Sequence, residues 1–202
     1  MAARSLASAV LLLAVGVVAA CTTDPVHQAE VDALGPEASN VPQGPNHRAG
    51  QPCVVCHGSE GPAKTQFSIA GTVFDGPGIS SALVGVGGVT VSLEDDSQSR
   101  FQVTTNCVGN FWVNPSDWNP QFPVLVAIAG GTTAQTMQSH IGREPSCGQC
   151  HQLQVGPGPG TPGTYFKSPG TIYLQRTDDP SFKGDPTCSV QPPTPVGLAP
   201  LP

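Results

Sequence analysis

Two short motifs of cysteine and histidine carry the chemistry of this sequence. Each has two cysteines three positions apart and a histidine directly after the second, namely Cys53, Cys56 and His57, then Cys147, Cys150 and His151. Two thiols at this spacing can each add to one vinyl group of a haem, and the adjacent imidazole can then bind the iron. The motifs therefore predict two covalent haem sites, with four attachment cysteines and two proximal histidine ligands.

The same cysteine spacing also builds zinc knuckles and dithiol redox sites, because the short turn points both sulfurs the same way. A zinc site from all four thiols is possible, although structural zinc pairs are usually closer together in sequence. Neither alternative needs the histidine that ends both motifs. On these residues the chain resembles a dihaem c-type cytochrome, which implies two covalently bound haem c groups and electron transfer.

A histidine also precedes each motif by a similar interval. His47 lies six residues before Cys53, and His140 lies seven before Cys147. Six extended residues span about 20 Å, enough to pass around a haem edge and reach its far face. We expect His47 and His140 to be the distal iron ligands, with Met137 as the competing ligand for the second haem. Own-haem, crossed and intermolecular pairing of these histidines with the two haems all satisfy the count. His27 is expected to be solvated.

The N-terminus has the pattern of an export signal. Arg4 precedes an apolar run that ends in Val-Ala-Ala-Cys at Cys21, too short for a comfortable membrane span. This ending resembles the lipobox of bacterial lipoproteins, which implies lipidation of Cys21; the alternative is an ordinary signal peptide cut after Ala20. Thr22 and Thr23 follow the cysteine, and in similar proteins this implies delivery to the outer membrane, facing the periplasm or the cell surface.

Lipidation and haem attachment account for five of the seven cysteines and leave Cys107 and Cys188. In an oxidising compartment this even remainder predicts a disulfide, with two buried free thiols as the alternative. The formal net charge of −6 makes nucleic acid an improbable partner. An acidic surface suits a basic redox partner protein of the cell envelope.

The region between the motifs has the period-two alternation of half-buried strands, as in Val89, Val91 and Leu93 or Val124, Val126 and Ile128. Turn residues such as Asp95-Asp96-Ser97 separate these runs, which predicts a small antiparallel β-sandwich. Gly71-Thr72-Val73-Phe74-Asp75 and Thr104-Thr105 through Gly109-Asn110-Phe111 resemble the carboxypeptidase regulatory-like domain over about residues 67–136. That resemblance implies a spacer or interaction module and no catalysis.

The predicted fold is therefore mainly β, a sandwich flanked by irregular haem-binding loops, a disordered N-terminal tether and a Pro-rich tail. The segments are a signal peptide (1–20), a flexible tether (21–45), the first haem segment (46–66), the sandwich (67–136), the second haem segment with a return strand (137–176) and the tail (177–202). The function expected is electron transfer by a lipid-anchored cytochrome that is not an enzyme. A small haem peroxidase or reductase, and a surface sandwich whose cysteines hold zinc or disulfides, are the rival interpretations.

Overall fold

The computed structural model describes residues 24–37, 41–76, 83–152, 168–174 and 194–196. These residues form a mainly β structure, as the sequence predicts. The helices are α1 (Pro25–Ala33), α2 (Cys53–His57) and α3 (Cys147–Cys150). The strands are β1 (Ile69–Phe74), β2 (Thr90–Asp95), β3 (Arg100–Thr104), β4 (Asn110–Val113), β5 (Val124–Gly130), β6 (Thr133–Thr136), β7 (Ile172–Tyr173) and β8 (Thr194–Val196). No helix in the described ranges is long and apolar enough to cross a membrane.

The strands form two sheets, in agreement with the predicted sandwich. The larger sheet has the order β6-β5-β2-β3-β8 and is antiparallel throughout. The smaller sheet has the order β4-β1-β7, in which β4 is antiparallel to β1 and β7 is parallel to it. The sequence predicts antiparallel strands, so the parallel β1–β7 pair differs from that prediction. A parallel pair requires a long crossover connection, and a long stretch of chain separates β1 from β7.

One apolar core joins the two sheets. It contains the residues whose alternation predicted strands, including Val89, Val91, Leu93, Val103, Val124, Val126 and Ile128, together with Ile69, Val73, Phe111 and Val113 of the smaller sheet. Complete burial of each such side chain contributes about 1.5–3 kcal/mol. Cys147 of the second motif belongs to this same core, so the motif is built into the sandwich.

Strand β1 is buried along its whole length, because its outer face is covered by the segment that precedes the first motif. Thr72 Oγ1 accepts a hydrogen bond from Gly50 N (2.8 Å) and donates one to Asn110 Oδ1 (2.8 Å). Asn110 Nδ2 in turn donates to the carbonyl oxygens of Pro45 (3.2 Å) and His47 (3.0 Å). These bonds fasten residues 45–50 across the smaller sheet.

The segment predicted as a disordered tether contains helix α1, which corrects that expectation for residues 25–33. Asp24 caps the helix by accepting a hydrogen bond from Val26 N (2.9 Å), and Pro25 occupies the first helical position, where its missing N–H costs nothing. At the other end, Gly35 has a φ of +67°, the left-handed conformation that often terminates helices. Arg48 Nη2 donates to Gly35 O at 2.7 Å and so ties this end of the helix to the first motif.

Candidate functional site

In the first motif the ring of His57 is held by a backbone carbonyl. Helix α2 is one short turn, and His57 Nδ1 lies 2.8 Å from Thr65 O. Because a carbonyl only accepts, Nδ1 must carry the proton, and the lone pair is then on Nε2. Burial lowers the pKa of His57, while its bond to Thr65 opposes that shift. The ring is therefore a neutral imidazole with a free ligating nitrogen.

Two aromatic side chains fix the plane of that ring. His57 stacks on Phe67 with ring centroids 4.2 Å apart and planes at 13°. Phe67 stacks in turn on Trp112 of β4 at 5.3 Å. Offset stacking of this kind adds about 0.5–1.5 kcal/mol beyond area burial, so the imidazole is held by packing as well as by its hydrogen bond.

The second motif repeats this arrangement with different residues. His151 Nδ1 lies 2.9 Å from Gly170 O, so Nε2 is again the nitrogen left for a ligand. Ser168 supports the contact, because its Oγ donates to Cys150 O (2.9 Å) and accepts from Gln152 N (3.0 Å). The predicted return strand, β7, follows directly and pairs with the end of β1. A backbone carbonyl beyond the motif thus orients each histidine, Thr65 O for His57 and Gly170 O for His151.

Strand β1 also carries the second motif on its edge. Ala70 pairs with Ser146, and Ala70 N donates to Pro145 O at 3.1 Å. One residue further along, Cys147 lies over Gly71, where an added Cβ would be 2.9 Å from the cysteine sulfur. Glycine at position 71 therefore leaves the space that the first thiol of the second motif occupies.

The two motifs are in direct contact with each other. Val54 N donates to Ser146 Oγ at 3.3 Å, which links α2 to the residue that precedes α3. A Cβ at Gly148 would lie 2.7 Å from the carbonyl carbon and oxygen of Gln51, so α3 packs against the backbone that leads into α2. Any cofactors held by these motifs would therefore lie close together.

The thiols of Cys53, Cys56 and Cys147 have raised pKa values. Burial raises the pKa of Cys53 to about 11. Burial, followed by the neighbouring Cys53 thiol, raises the pKa of Cys147 to about 12. Burial also raises the pKa of Cys56, although Arg48 opposes it, and Cys150 is exposed. Reactive dithiol sites lower the pKa of their nucleophilic cysteine, so this environment does not favour the redox-dithiol alternative.

The predicted distal ligand His47 lies opposite His57. Their ring centroids are 5.9 Å apart and their planes make an angle of 64°. Two imidazoles on opposite sides of one metal, with bonds of about 2 Å each, have centroids about 6 Å apart. The centroid separation is therefore compatible with both rings binding one iron. His47 Nδ1 lies 3.3 Å from Glu37 Oε1, which leaves Nε2 for the metal.

The other candidate ligands, His140, Met137 and His27, differ in how far their side chains are exposed. His140 is exposed, and the adjacent Ile141 bonds to Val124 at the start of β5. Met137 packs against the hydrophobic core, as the alternative interpretation of it as a strand residue requires. His27 is half-buried, and its Nε2 is buried without a hydrogen-bond partner among the described residues. The expectation that His27 is solvated therefore needs correction.

Of the three cysteines outside the two motifs, only one is among the described residues. Cys107 is in a disulfide, while its predicted partner Cys188 and the lipidation candidate Cys21 lie outside those residues. In the part of the chain that the structure describes, no group of three or more His, Cys, Asp or Glu side chains is arranged to hold a metal ion. The four-thiol zinc alternative therefore gains no support from the geometry.

Comparisons of the chain with protein-family models, with curated proteins and with solved structures gave no match. The resemblances to c-type cytochromes and to the carboxypeptidase regulatory-like domain therefore stay predictions.

Proposed function

We propose that this protein is a dihaem c-type cytochrome that transfers electrons. The observation that carries the proposal is the repeated geometry of the two motif histidines. Each has Nδ1 at 2.8–2.9 Å from a backbone carbonyl and Nε2 left for a ligand. Iron-ligating histidines are commonly oriented through their other ring nitrogen in this way. A zinc site built from the four thiols alone, or a dithiol site, uses no histidine and does not need that orientation.

In this proposal Cys53 and Cys56 attach one haem c, and Cys147 and Cys150 attach the other. A haem c iron supplies one-electron chemistry by alternating between the ferric and ferrous states. His57 and His151 are the proximal ligands, and His47 and His140 are the distal ones. With histidines of the chain as the ligands on both sides of each haem, the protein would transfer electrons without binding a substrate at the metal, and it would not be an enzyme.

Because the two motifs are in contact, the two proposed haems would lie close enough to exchange electrons. Val54 and Ser146 join them by a hydrogen bond, and Gly148 packs on Gln51. Electron tunnelling falls steeply with distance, so cofactors attached to adjoining segments exchange electrons readily. The sandwich would act as the rigid support, because β1 underlies both motifs.

The proposed cellular location depends on features of the sequence. Lipidation of Cys21 would anchor the protein to the outer membrane, facing the periplasm or the cell surface. The net charge of −6 would suit docking of basic redox partner proteins of the envelope, with an association rate that falls as salt is added.

The deciding experiment is a haem count by pyridine haemochrome on protein exported with the c-type maturation system. We expect two covalent haems per chain in the wild type. The double variants Cys53→Ala/Cys56→Ala and Cys147→Ala/Cys150→Ala should each keep one. A wild-type chain without covalent haem would exclude the proposal and leave the zinc or disulfide sandwich. Rapid binding of carbon monoxide or cyanide at one haem would instead favour the peroxidase or reductase alternative.

A further inference from the structure

We infer that Glu37 is a positioning carboxylate for the first haem: it accepts the Nδ1–H of His47 and so sets the orientation of the distal imidazole. The inference depends on the proposed haem-binding function, in which His47 Nε2 binds the iron held by the first motif. It also places a residue from the segment predicted as a tether inside the haem site.

The ring of His47 has two neighbouring side chains. The ring lies between Glu37, 3.3 Å from Nδ1, and His57, with ring centroids 5.9 Å apart. Both His47 Nδ1 and Glu37 Oε2 are buried without a hydrogen-bond partner among the described residues. A buried polar atom left unpaired costs about 1–3 kcal/mol. A small adjustment that joins Nδ1–H to the carboxylate would satisfy both atoms.

Glu37 is itself held in place. Arg48 Nε donates to Glu37 Oε1 at 2.9 Å. The same guanidinium donates through Nη1 to Gln51 Oε1 (2.7 Å) and to Leu34 O (3.2 Å). Arginine presents its donors in a rigid planar fork, so these bonds fix the carboxylate relative to both the end of α1 and the start of the first motif.

The backbone of His47 is also held in place. Asn110 Nδ2 of β4 donates to His47 O at 3.0 Å, so the sheet fixes the main chain while Glu37 fixes the ring. Without Glu37 the ring could rotate about its side-chain bonds even though its backbone stays anchored. A carboxylate acceptor on Nδ1 also makes an imidazole more basic, which stabilises the ferric state and lowers the midpoint potential.

The test compares Glu37→Gln, Glu37→Ala and the control Glu60→Gln, which changes an exposed glutamate three residues after His57. All are purified as full-length dihaem protein, and the haem count, the thermal midpoint, the EPR spectrum and the potentials of both haems are measured. The g-values of a low-spin ferric haem depend on the angle between its axial imidazoles, here 64°. They therefore report ring orientation directly.

We expect Glu37→Ala to shift the EPR signal and raise the potential of one haem only. Glu37→Gln, which keeps an oxygen acceptor without the charge, should give a smaller shift in both, and Glu60→Gln should give none. If Glu37→Gln and Glu37→Ala both retain two haems with the wild-type EPR signals and potentials, the positioning role of Glu37 is excluded while the cytochrome assignment stands. Absence of haem from the wild type would exclude the cytochrome assignment itself.

Discussion

The imidazole rings of His47 and His57 are in edge contact, with ring centroids 5.9 Å apart and planes at 64°, and separate parts of the fold contact the two rings. His57 is fixed by Thr65 and Phe67. His47 is fixed at its backbone by Asn110 and approached at its ring by Glu37. A separation that matches two ligands of one metal therefore results from four independent contacts. Under the proposed cytochrome function, it favours pairing of His47 with the haem of its own motif.

The first prediction concerns this pair. His47→Ala should keep the haem on Cys53 and Cys56, because thioether attachment does not use the distal ligand, but should leave that iron five-coordinate. We expect one of the two haems to become high-spin and to bind carbon monoxide, measured by the absorption spectrum of the reduced protein. His47→Met is the matched variant: it should return the haem to low spin at a higher potential, since Met/His ligation raises the potential. A fully low-spin His47→Ala protein would contradict the assignment.

The second prediction separates the candidates for the distal position of the second haem. His140→Ala should make this haem high-spin, whereas Met137→Leu should leave it low-spin, because Met137 packs against the core and leucine conserves its volume. His27→Ala serves as the comparison, since the Nε2 of His27 is buried and unpartnered among the described residues. If His27→Ala frees the iron and His140→Ala does not, the assignment of His140 is wrong.

Local sequence patterns predicted the fold class well. The alternating Val89, Val91 and Leu93 are buried as expected, because a period-two pattern places every second side chain on one face. The two cysteine–histidine motifs were equally visible, since their chemistry depends on local spacing alone. Helix α1 was missed because it is short and has no strongly periodic apolar face. Its half-buried positions His27, Val31 and Leu34 fit a single helix face only in retrospect.

The contacts that build the site could not be derived from the sequence. The parallel pairing of β7 with β1 joins segments that are distant in the chain, and the approach of Gly170 to His151 and the position of Glu37 beside His47 join residues that share no helix or strand. Such contacts depend on how the sheets close around the core, and no local periodicity encodes them. The sequence therefore identifies the chemical groups of the site, whereas the tertiary structure determines which of these groups are in contact.

The third prediction tests the contact between the motifs. Gly148→Ala would place a Cβ 2.7 Å from the carbonyl carbon and oxygen of Gln51, an overlap that only a backbone shift can relieve. Overpacking of this kind costs about 1–3 kcal/mol. For a chain of this size that corresponds to a fall of about 2–12 °C in the thermal midpoint. Gly142→Ala is the control, because its Cβ would meet no atom within 4 Å. Equal thermal midpoints for the two variants would show that the motifs are not packed as described.

The fourth prediction concerns the pH dependence of stability and uses Asp95, which is buried at the β2–β3 turn. Burial raises the pKa of this carboxyl, but hydrogen bonds from Ser97 Oγ and from the N–H groups of Gln121 and Ser99 outweigh burial and lower the pKa below its ordinary value. A depressed pKa in the folded state means that ionised Asp95 stabilises the protein above the unfolded pKa of about 3.9. That contribution is lost as the pH falls toward the folded pKa.

Asp95→Asn should therefore destabilise the protein by about 1–3 kcal/mol at pH 7, because the amide cannot accept all three bonds. The difference from wild type should shrink as the pH falls below about 4, first because the carboxyl of the unfolded state takes up a proton, and then because the folded carboxyl does so at lower pH. Urea unfolding at a series of pH values measures both effects. Asp96→Asn, at the exposed neighbouring position, should stay within about 0.5 kcal/mol of wild type. A constant difference between wild type and Asp95→Asn from pH 7 to pH 3 would show that the charge of Asp95 does not stabilise this turn.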